Sequence, residues 1–385
     1  MKIAFVYRKF TKTGGVEPYV ITLAEKLLDS GHEVHVFCNE WNNKYRNRIK
    51  FHKVPIIKFC KSLRIASFAL LSYTMLKKHD YDIVHGFGKT FKQDILRTGD
   101  GCHKEFLRYY IKTYKNPISK FLVKNSLSNK ISLFIEKKQF QKGNYKKIIA
   151  VSKRCKEEIK RNYGVPDEDI IVIYNGIDLE RFNPNNKVRY REEIRKQYKI
   201  SDDEVVLLYV GSGFRRKGVE YLIEAIGNLK NIKLRLLIVG GEENIWHYKK
   251  LTKKLKIDEK IIFAGEQPMI ERFYAAADIF ILLSVYEPFS NTCLEAMALG
   301  LPIIITRING VSEIIENGKQ GLIIENPGDI KQIKDAITNL LNKDNRTRMG
   351  KSARELACQF TIEKNIQEVI NVYNKVLGNV EDTAY

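Results

Sequence analysis

The run VVLLYVGSGFRRKGVEYLIEAIGNLKNIKLRLLIVGG, Val205–Gly241, decides the fold. Its two ends, VVLLYVG and RLLIVGG, are apolar runs of strand length, and VEYLIEAI between them carries helical spacing. Strands this apolar are covered on both faces, so the run predicts a parallel pair joined by a crossover helix. The same rhythm continues toward the C-terminus in IIFAG (Ile261–Gly265), IFILLS (Ile279–Ser284), PIIIT (Pro302–Thr306) and GLIIE (Gly321–Glu325). Toward the N-terminus it recurs in IAFVY (Ile3–Tyr7), EVHVF (Glu33–Phe37), DIVHGF (Asp82–Phe87), KIIAVS (Lys147–Ser152) and IIVIY (Ile170–Tyr174). A polar stretch with Gly and Pro, Asn175–Tyr198, interrupts the series and marks a boundary near Asp178–Asn186. The expected architecture is α/β: two doubly wound, Rossmann-like domains facing across a cleft, residues 1–180 and 181–361. A final segment, 362–385, carries an amphipathic helix expected to cross back to the first domain and a tail, VEDTAY, expected to fray.

Composition narrows the class. With 385 residues and 44% hydrophobic content the chain can bury two cores. No apolar run reaches the roughly 18–20 residues that span a bilayer; IASFALLSYTML (Ile65–Leu76) reads as a buried or interfacial helix. The opening strand leaves no signal-peptide pattern, and six scattered cysteines form no Cys-x-x-Cys pair. A reducing cytoplasm is expected, without disulfides or structural zinc. Of the net charge of +21, residues 1–150 carry +19 (30 Lys/Arg against 11 Asp/Glu), whereas residues 201–385 carry −1. The densest part, Lys104–Lys147, interleaves 12 basic and 2 acidic residues with Phe, Tyr, Leu and Ile. That composition suits an anionic membrane surface, and its alternative is a solvated insertion of ordinary helices.

Three segments carry chemistry. Gly14-Gly15 stands between the first strand and a helix, where glycine lets a ligand approach the backbone and helix amides favour an anion. The dinucleotide fingerprint G-x-G-x-x-G is absent, which weighs against a nicotinamide enzyme. In VGSGFRRKG a strand ends in glycine and a short loop presents Arg215, Arg216 and Lys217, groups suited to a diphosphate; the Walker spacing is absent. In YEPFSNTCLEAMALGLP (Tyr286–Pro302), Ser290 or Asn291 caps a helix that Gly300 stops. Glu287 precedes that helix and Glu295 sits in its early turns among Leu294, Ala296, Met297 and Ala298. A carboxylate in such surroundings needs donors, and a ribose with two adjacent hydroxyls supplies them. Asp80-x-Asp82 resembles a metal-binding D-x-D but precedes a strand of the first domain, and is discounted.

The ordered series EPFSNTCLEAMALGLP, VGSGFRRKG, YNGID, GHEVHVF and NGVSEIIENGKQGLIIE resembles the retaining GT-B glycosyltransferases of family 4, with their E-x7-E signature, over nearly the whole chain. GSGFRRKGVE and TGDGCHKEF are most similar to members that add glucose to the lipopolysaccharide core. The resemblance implies that Glu295 holds the ribose of a UDP-sugar, that Arg216 and Lys217 hold its diphosphate, and that Glu287 contacts the donor sugar. Gly14, Gly15, Phe289, Ser290, Asn291 and Thr292 would complete the phosphate and sugar pocket, with the base near Gly265 and Glu266. Asp100 or His103, in RTGDGCHKEF, would orient the acceptor hydroxyl or take its proton. No metal or other cofactor is expected. The expected partners are a UDP-sugar, a lipid-linked or polysaccharide acceptor and the inner face of the plasma membrane, reached through residues 104–147; no nucleic acid is expected. The rival readings are a nucleotide-sugar epimerase of the same fold and a basic nucleic-acid-binding protein, the latter predicting salt-sensitive binding to oligonucleotides rather than liposomes.

Overall fold

The computed structural model describes residues 1–11, 15–229 and 231–379; Gly14 and the tail 380–385 lie outside them. The chain forms two compact units, Met1–Tyr174 together with the chain from Glu363 onward, and Asn175–Ile362. The division falls at Tyr174/Asn175 rather than at 180/181. The backbone gives the reason: Ile177 N–H donates to Phe360 O (2.9 Å) and Ile362 N–H to Ile177 O (3.1 Å), so Asn175-Gly176-Ile177 already belongs to the second unit. A Cβ on Gly176 would lie 2.5 Å from Thr361 O, so glycine is what lets these two segments run side by side.

In the first unit seven strands form one sheet: β1 Lys2–Val6, β2 Glu33–Cys38, β3 Lys50–Lys53, β4 Ile83–Gly86, β5 Ile95–Arg97, β6 Lys147–Ala150 and β7 Ile170–Val172. Their order is β3-β2-β1-β4-β5-β6-β7, all parallel. The second unit holds β8 Val205–Val210, β9 Leu234–Val239, β10 Ile261–Gly265, β11 Ile279–Leu282, β12 Ile303–Thr306 and β13 Gly321–Ile324, in the order β10-β9-β8-β11-β12-β13, again all parallel. Strands β3 and β5 were not anticipated. The first, KFHK, is a polar edge strand, and the second is three residues long, so neither carries an apolar run.

Packing follows the strand period of two. Ala4 and Val6 of β1 meet Phe37 and Phe68, the latter from the helix Lys61–Leu76. Ile148 and Ala150 of β6 meet Cys155 and Ile159 of the helix Lys153–Tyr163. Each fully buried side chain of this kind contributes about 1.5–3 kcal/mol. The C-terminal helix Ile362–Val376 buries Ile366, Val369, Val372 and Tyr373, and the Tyr373 hydroxyl lies 2.7 Å from His85 Nδ1 on β4. Asp82 Oδ2 accepts from the Lys2 amide at 2.7 Å, a structural role that accounts for one member of the Asp80-x-Asp82 pair.

Residues 104–147 are mostly helical: His103–Tyr110, Pro117–Asn125 and Leu127–Gln139. The helix Pro117–Asn125 buries none of its residues; Ile118 is 69% exposed, Phe121 66% and Leu122 62%. Among the described residues no helix is long and apolar enough to cross a membrane.

Candidate active site

Sheet order fixes where a ligand fits in the second unit. Strand order reverses between β8 and β11, so the loops leaving their carboxyl ends diverge, as at the ligand sites of open α/β sheets. The first loop carries Arg216 and Lys217 and the second carries Glu287, and the two meet. Arg216 Nη1 donates to Glu287 Oε2 at 2.8 Å and to Tyr286 O at 3.1 Å, and Lys217 Nζ stands 4.0 Å from the same carboxylate oxygen. Two cations therefore meet at one carboxylate.

Lys217 is largely enclosed, and burial pushes its ammonium pKa down against the pull of Glu287. Its side chain lies beneath Gly211, where φ is +147° and a Cβ would come within 2.4 Å of Nζ. Glycine is required there on both counts. At the end of β9 the Glu242 carboxylate accepts from the Phe214 amide (2.7 Å) and so braces the basic loop. Gly265 at the end of β10 has φ +69°, and the Glu266 carboxylate lies against Gly241, where a Cβ would meet it at 2.5 Å.

The helix Asn291–Ala298 starts where its sequence predicts, with Ser290 as its N-cap residue, but the Ser290 side chain makes no cap hydrogen bond; its hydroxyl pairs with Thr292 Oγ1 at 2.8 Å. Asn175 positions this turn, with Nδ2 donating to Asn291 Oδ1 (2.7 Å) and to Phe289 O (3.4 Å). Glu287 is pinned from the other side by its carbonyl, which accepts from Gly310 N–H at 3.0 Å. From Cys293 to Leu299 Glu295 is the one residue that is not fully buried, and its carboxyl group is itself enclosed. Enclosure raises the Glu295 pKa, opposed by the Tyr274 hydroxyl, which donates to Oε2 at 2.7 Å, and by the cations Arg181 and Lys217. Among the described residues Tyr274 is the single side-chain donor to Glu295, which leaves Oε1 for an incoming hydroxyl.

In the first unit Gly15 precedes the helix Glu17–Asp29, and the space beside its Cα is open. The start of that helix is already occupied by an acid: Glu17 Oε2 accepts from the Val16 amide at 3.2 Å. Burial raises the Glu17 carboxyl, and the nearby Asp100 adds to the rise. The Tyr7 phenol is pushed up by burial, Asp100 and Glu17, so it remains a donor. Asp100 itself is exposed and lines a small cavity of about 30 Å³ with Lys89, Arg97 and Glu136. His103 opens the helix His103–Tyr110 with its amide on Glu136 Oε1 (2.9 Å), and its Nε2 is shut off from solvent. Burial, then Lys89, depress its pKa to about 4.

The second unit thus carries Arg216 and Lys217 on the loop after β8, Glu287 and Ser290 on the loop after β11, and Asn291, Thr292 and Glu295 on the helix that follows, with Gly265 and Glu266 at the end of β10. Sequence reasoning missed Tyr274, Glu242, Asn175, Tyr7, Glu17 and Glu136. Tyr274 precedes an alanine run and Asn175 stands in YNGID, but only the folded chain brings either to the signature helix.

A cation pair on a switch-point loop thus meets Glu287, and seven residues separate that carboxylate from Glu295 on a doubly wound sheet. Residues 13–181 match the family described as Glycosyltransferase Family 4, and residues 190–356 match Glycosyl transferases group 1. The chain belongs to these glycosyltransferases and has their GT-B architecture of two Rossmann-like domains. It is 26% identical over 391 residues to N-acetyl-alpha-D-glucosaminyl L-malate synthase of Bacillus anthracis, covering 98% of each chain. It is 25% identical over 350 residues to the lipopolysaccharide glucosyltransferase WaaG of Escherichia coli K12, covering 89% of this chain and 90% of the relative. A crystal structure of WaaG superposes with a TM-score of 0.83 at 23% identity, covering 96% of this chain and 99% of the other. Anabaena HepE, solved with UDP and glucose, matches with a TM-score of 0.73 at 18% identity, covering 97% and 100%.

Proposed function

We propose that this glycosyltransferase moves a hexose, glucose by preference, from a UDP-sugar to a hydroxyl of a membrane-anchored glycan, with retention at the anomeric carbon. The observation that carries the donor half is the meeting of Arg216, Lys217 and Glu287, with Glu295 as the one incompletely buried residue of the helix that follows. Glu295 takes the ribose hydroxyls, and Glu287, held by Arg216, faces the donor sugar. As the bond from the anomeric carbon to the diphosphate oxygen breaks, negative charge gathers on the departing UDP, and Arg216 and Lys217 are already in place to stabilise it. Those fixed cations supply the charge a metal would otherwise bring, so we propose a metal-independent reaction. Asp100, the exposed group of the Asp100/His103 pair, orients the acceptor hydroxyl and receives its proton.

The acceptor half rests on the helix Pro117–Asn125. The Bacillus anthracis relative is named for L-malate, but here Ile118, Phe121 and Leu122 are exposed beside Lys120 and Lys124, which favours an acceptor held at an anionic membrane. We place the protein at the cytoplasmic face of that membrane, bound peripherally. The test is the thermal shift with UDP, ADP, GDP and NAD, with and without magnesium. A UDP-selective rise that is indifferent to magnesium is expected; no shift with any nucleotide would remove Arg216 and Lys217 from a diphosphate site. Co-sedimentation with anionic liposomes, competed by an oligonucleotide, separates a lipid partner from a nucleic acid.

A further inference from the structure

The first unit contains a second, larger cavity, of about 810 Å³, between the helix Leu127–Gln139, the loop after it and the end of the helix Lys153–Tyr163. That lies within the roughly 300–1,000 Å³ of small-molecule sites. Its walls include the rings of Phe140, Tyr145 and Tyr163, and its basic groups are Lys104, Lys137 and Lys142. No Asp or Glu is among the lining residues. Lys142 is paired with Asp169, which lies outside the lining, at 2.9 Å. Lys104 stands over the Tyr163 ring at 5.9 Å, and neither Lys104 nor Lys137 has an ion pair among the described residues. The cavity is thus an aromatic hollow with two uncompensated ammonium groups, complementary to an anion that carries an apolar body.

Two features identify the occupant. The helix that brings Lys137 to the cavity also exposes Leu127 and Phe134, so one element carries both a cavity wall and part of the apolar, basic surface of residues 104–147. Phe140 lines both this cavity and the small one lined by Asp100. We propose that the cavity binds the phosphate headgroup and first acyl carbons of a single anionic membrane lipid, beside the acceptor residue. Lys104 and Lys137 hold the phosphate, and the three rings cover the carbons. This rests on the reading that residues 104–147 face an anionic membrane.

The experiment titrates full-length protein calorimetrically with dihexanoyl phosphatidylglycerol below its micellar concentration, with dihexanoyl phosphatidylcholine and with glycerol phosphate. Saturable one-site binding of phosphatidylglycerol is expected, at least tenfold tighter than either comparator. The exposed pair Lys104→Gln/Lys137→Gln should weaken it at least tenfold while leaving the UDP thermal shift unchanged. Equal binding of the two lipids, equal binding of glycerol phosphate, or a variant that binds like the parent would each overturn the proposal. Liposome co-sedimentation run alongside keeps the two readings apart. Liposome binding without saturable lipid binding leaves the membrane reading standing and ends this one; saturable lipid binding without liposome binding ends both, because the cavity then takes a soluble anion rather than a membrane lipid.

Discussion

At Glu295, burial and the proposed ribose-binding role pull against each other. Its carboxyl is enclosed enough for its pKa to rise above the usual 4.5, yet only the ionised form accepts two hydroxyls. UDP affinity should therefore climb as pH rises through that elevated value, and Glu295→Gln should flatten the profile and weaken UDP at least tenfold with little change in Tm, by calorimetry. An unchanged affinity would remove Glu295 from the ribose site. Gly211 offers an independent check. Alanine there meets both a positive φ and the Lys217 side chain, so Gly211→Ala should displace the ammonium and cost UDP affinity about tenfold or more, equivalent to about 1.4 kcal/mol. Glu287, Glu295, Arg216 and Lys217 were legible as residues because their spacing around glycines and a helix start is local. Tyr274 was not, because its partnership with Glu295 joins two helices that sequence order does not pair.

Elements show the same division. Eleven apolar strands could be read from their runs, whereas β3 and β5 could not, since an edge strand and a three-residue strand need no apolar signature. The C-terminal helix is amphipathic in sequence, with Tyr373 on its buried face, but its hydrogen bond to His85 belongs to the fold. Tyr373→Phe strands the buried His85 Nδ1 and should destabilise the first unit by about 1–3 kcal/mol, read as a lower Tm in calorimetry. The helix Pro117–Asn125 gives the opposite prediction. Replacing Ile118, Phe121 and Leu122 together by Ser should leave Tm nearly unchanged, because none of them is buried, while co-sedimentation with anionic liposomes falls several-fold.

For the whole molecule, buried histidines set the response to acid. His103 is depressed to about 4 and the buried His85 lies well below 6.5, in each case chiefly through burial. The folded chain then binds fewer protons than the unfolded chain once pH drops below 6.5. Stability is complete above that value and is lost progressively as pH falls, with His103 contributing up to about 3 kcal/mol of the loss by pH 4. Denaturant melts at pH 7, 6 and 5 should show that decline, and His103→Gln should reduce it; a flat profile would mean that these rings charge freely in the fold.

The sequence by itself determined two doubly wound α/β units, their approximate boundary, a basic first half and a neutral second half. It also determined the glycine-flanked basic loop and the E-x7-E helix, because strand runs, caps and close backbone approaches are written in neighbouring residues. Tertiary structure alone decided that Arg216 grips Glu287, that Tyr274 reaches Glu295 and that Glu136 holds the His103 amide. It also decided that Gly176 admits the returning chain at Thr361. Each of those contacts joins residues distant in sequence, and their geometry is set by strand order and helix packing, which local pattern does not encode.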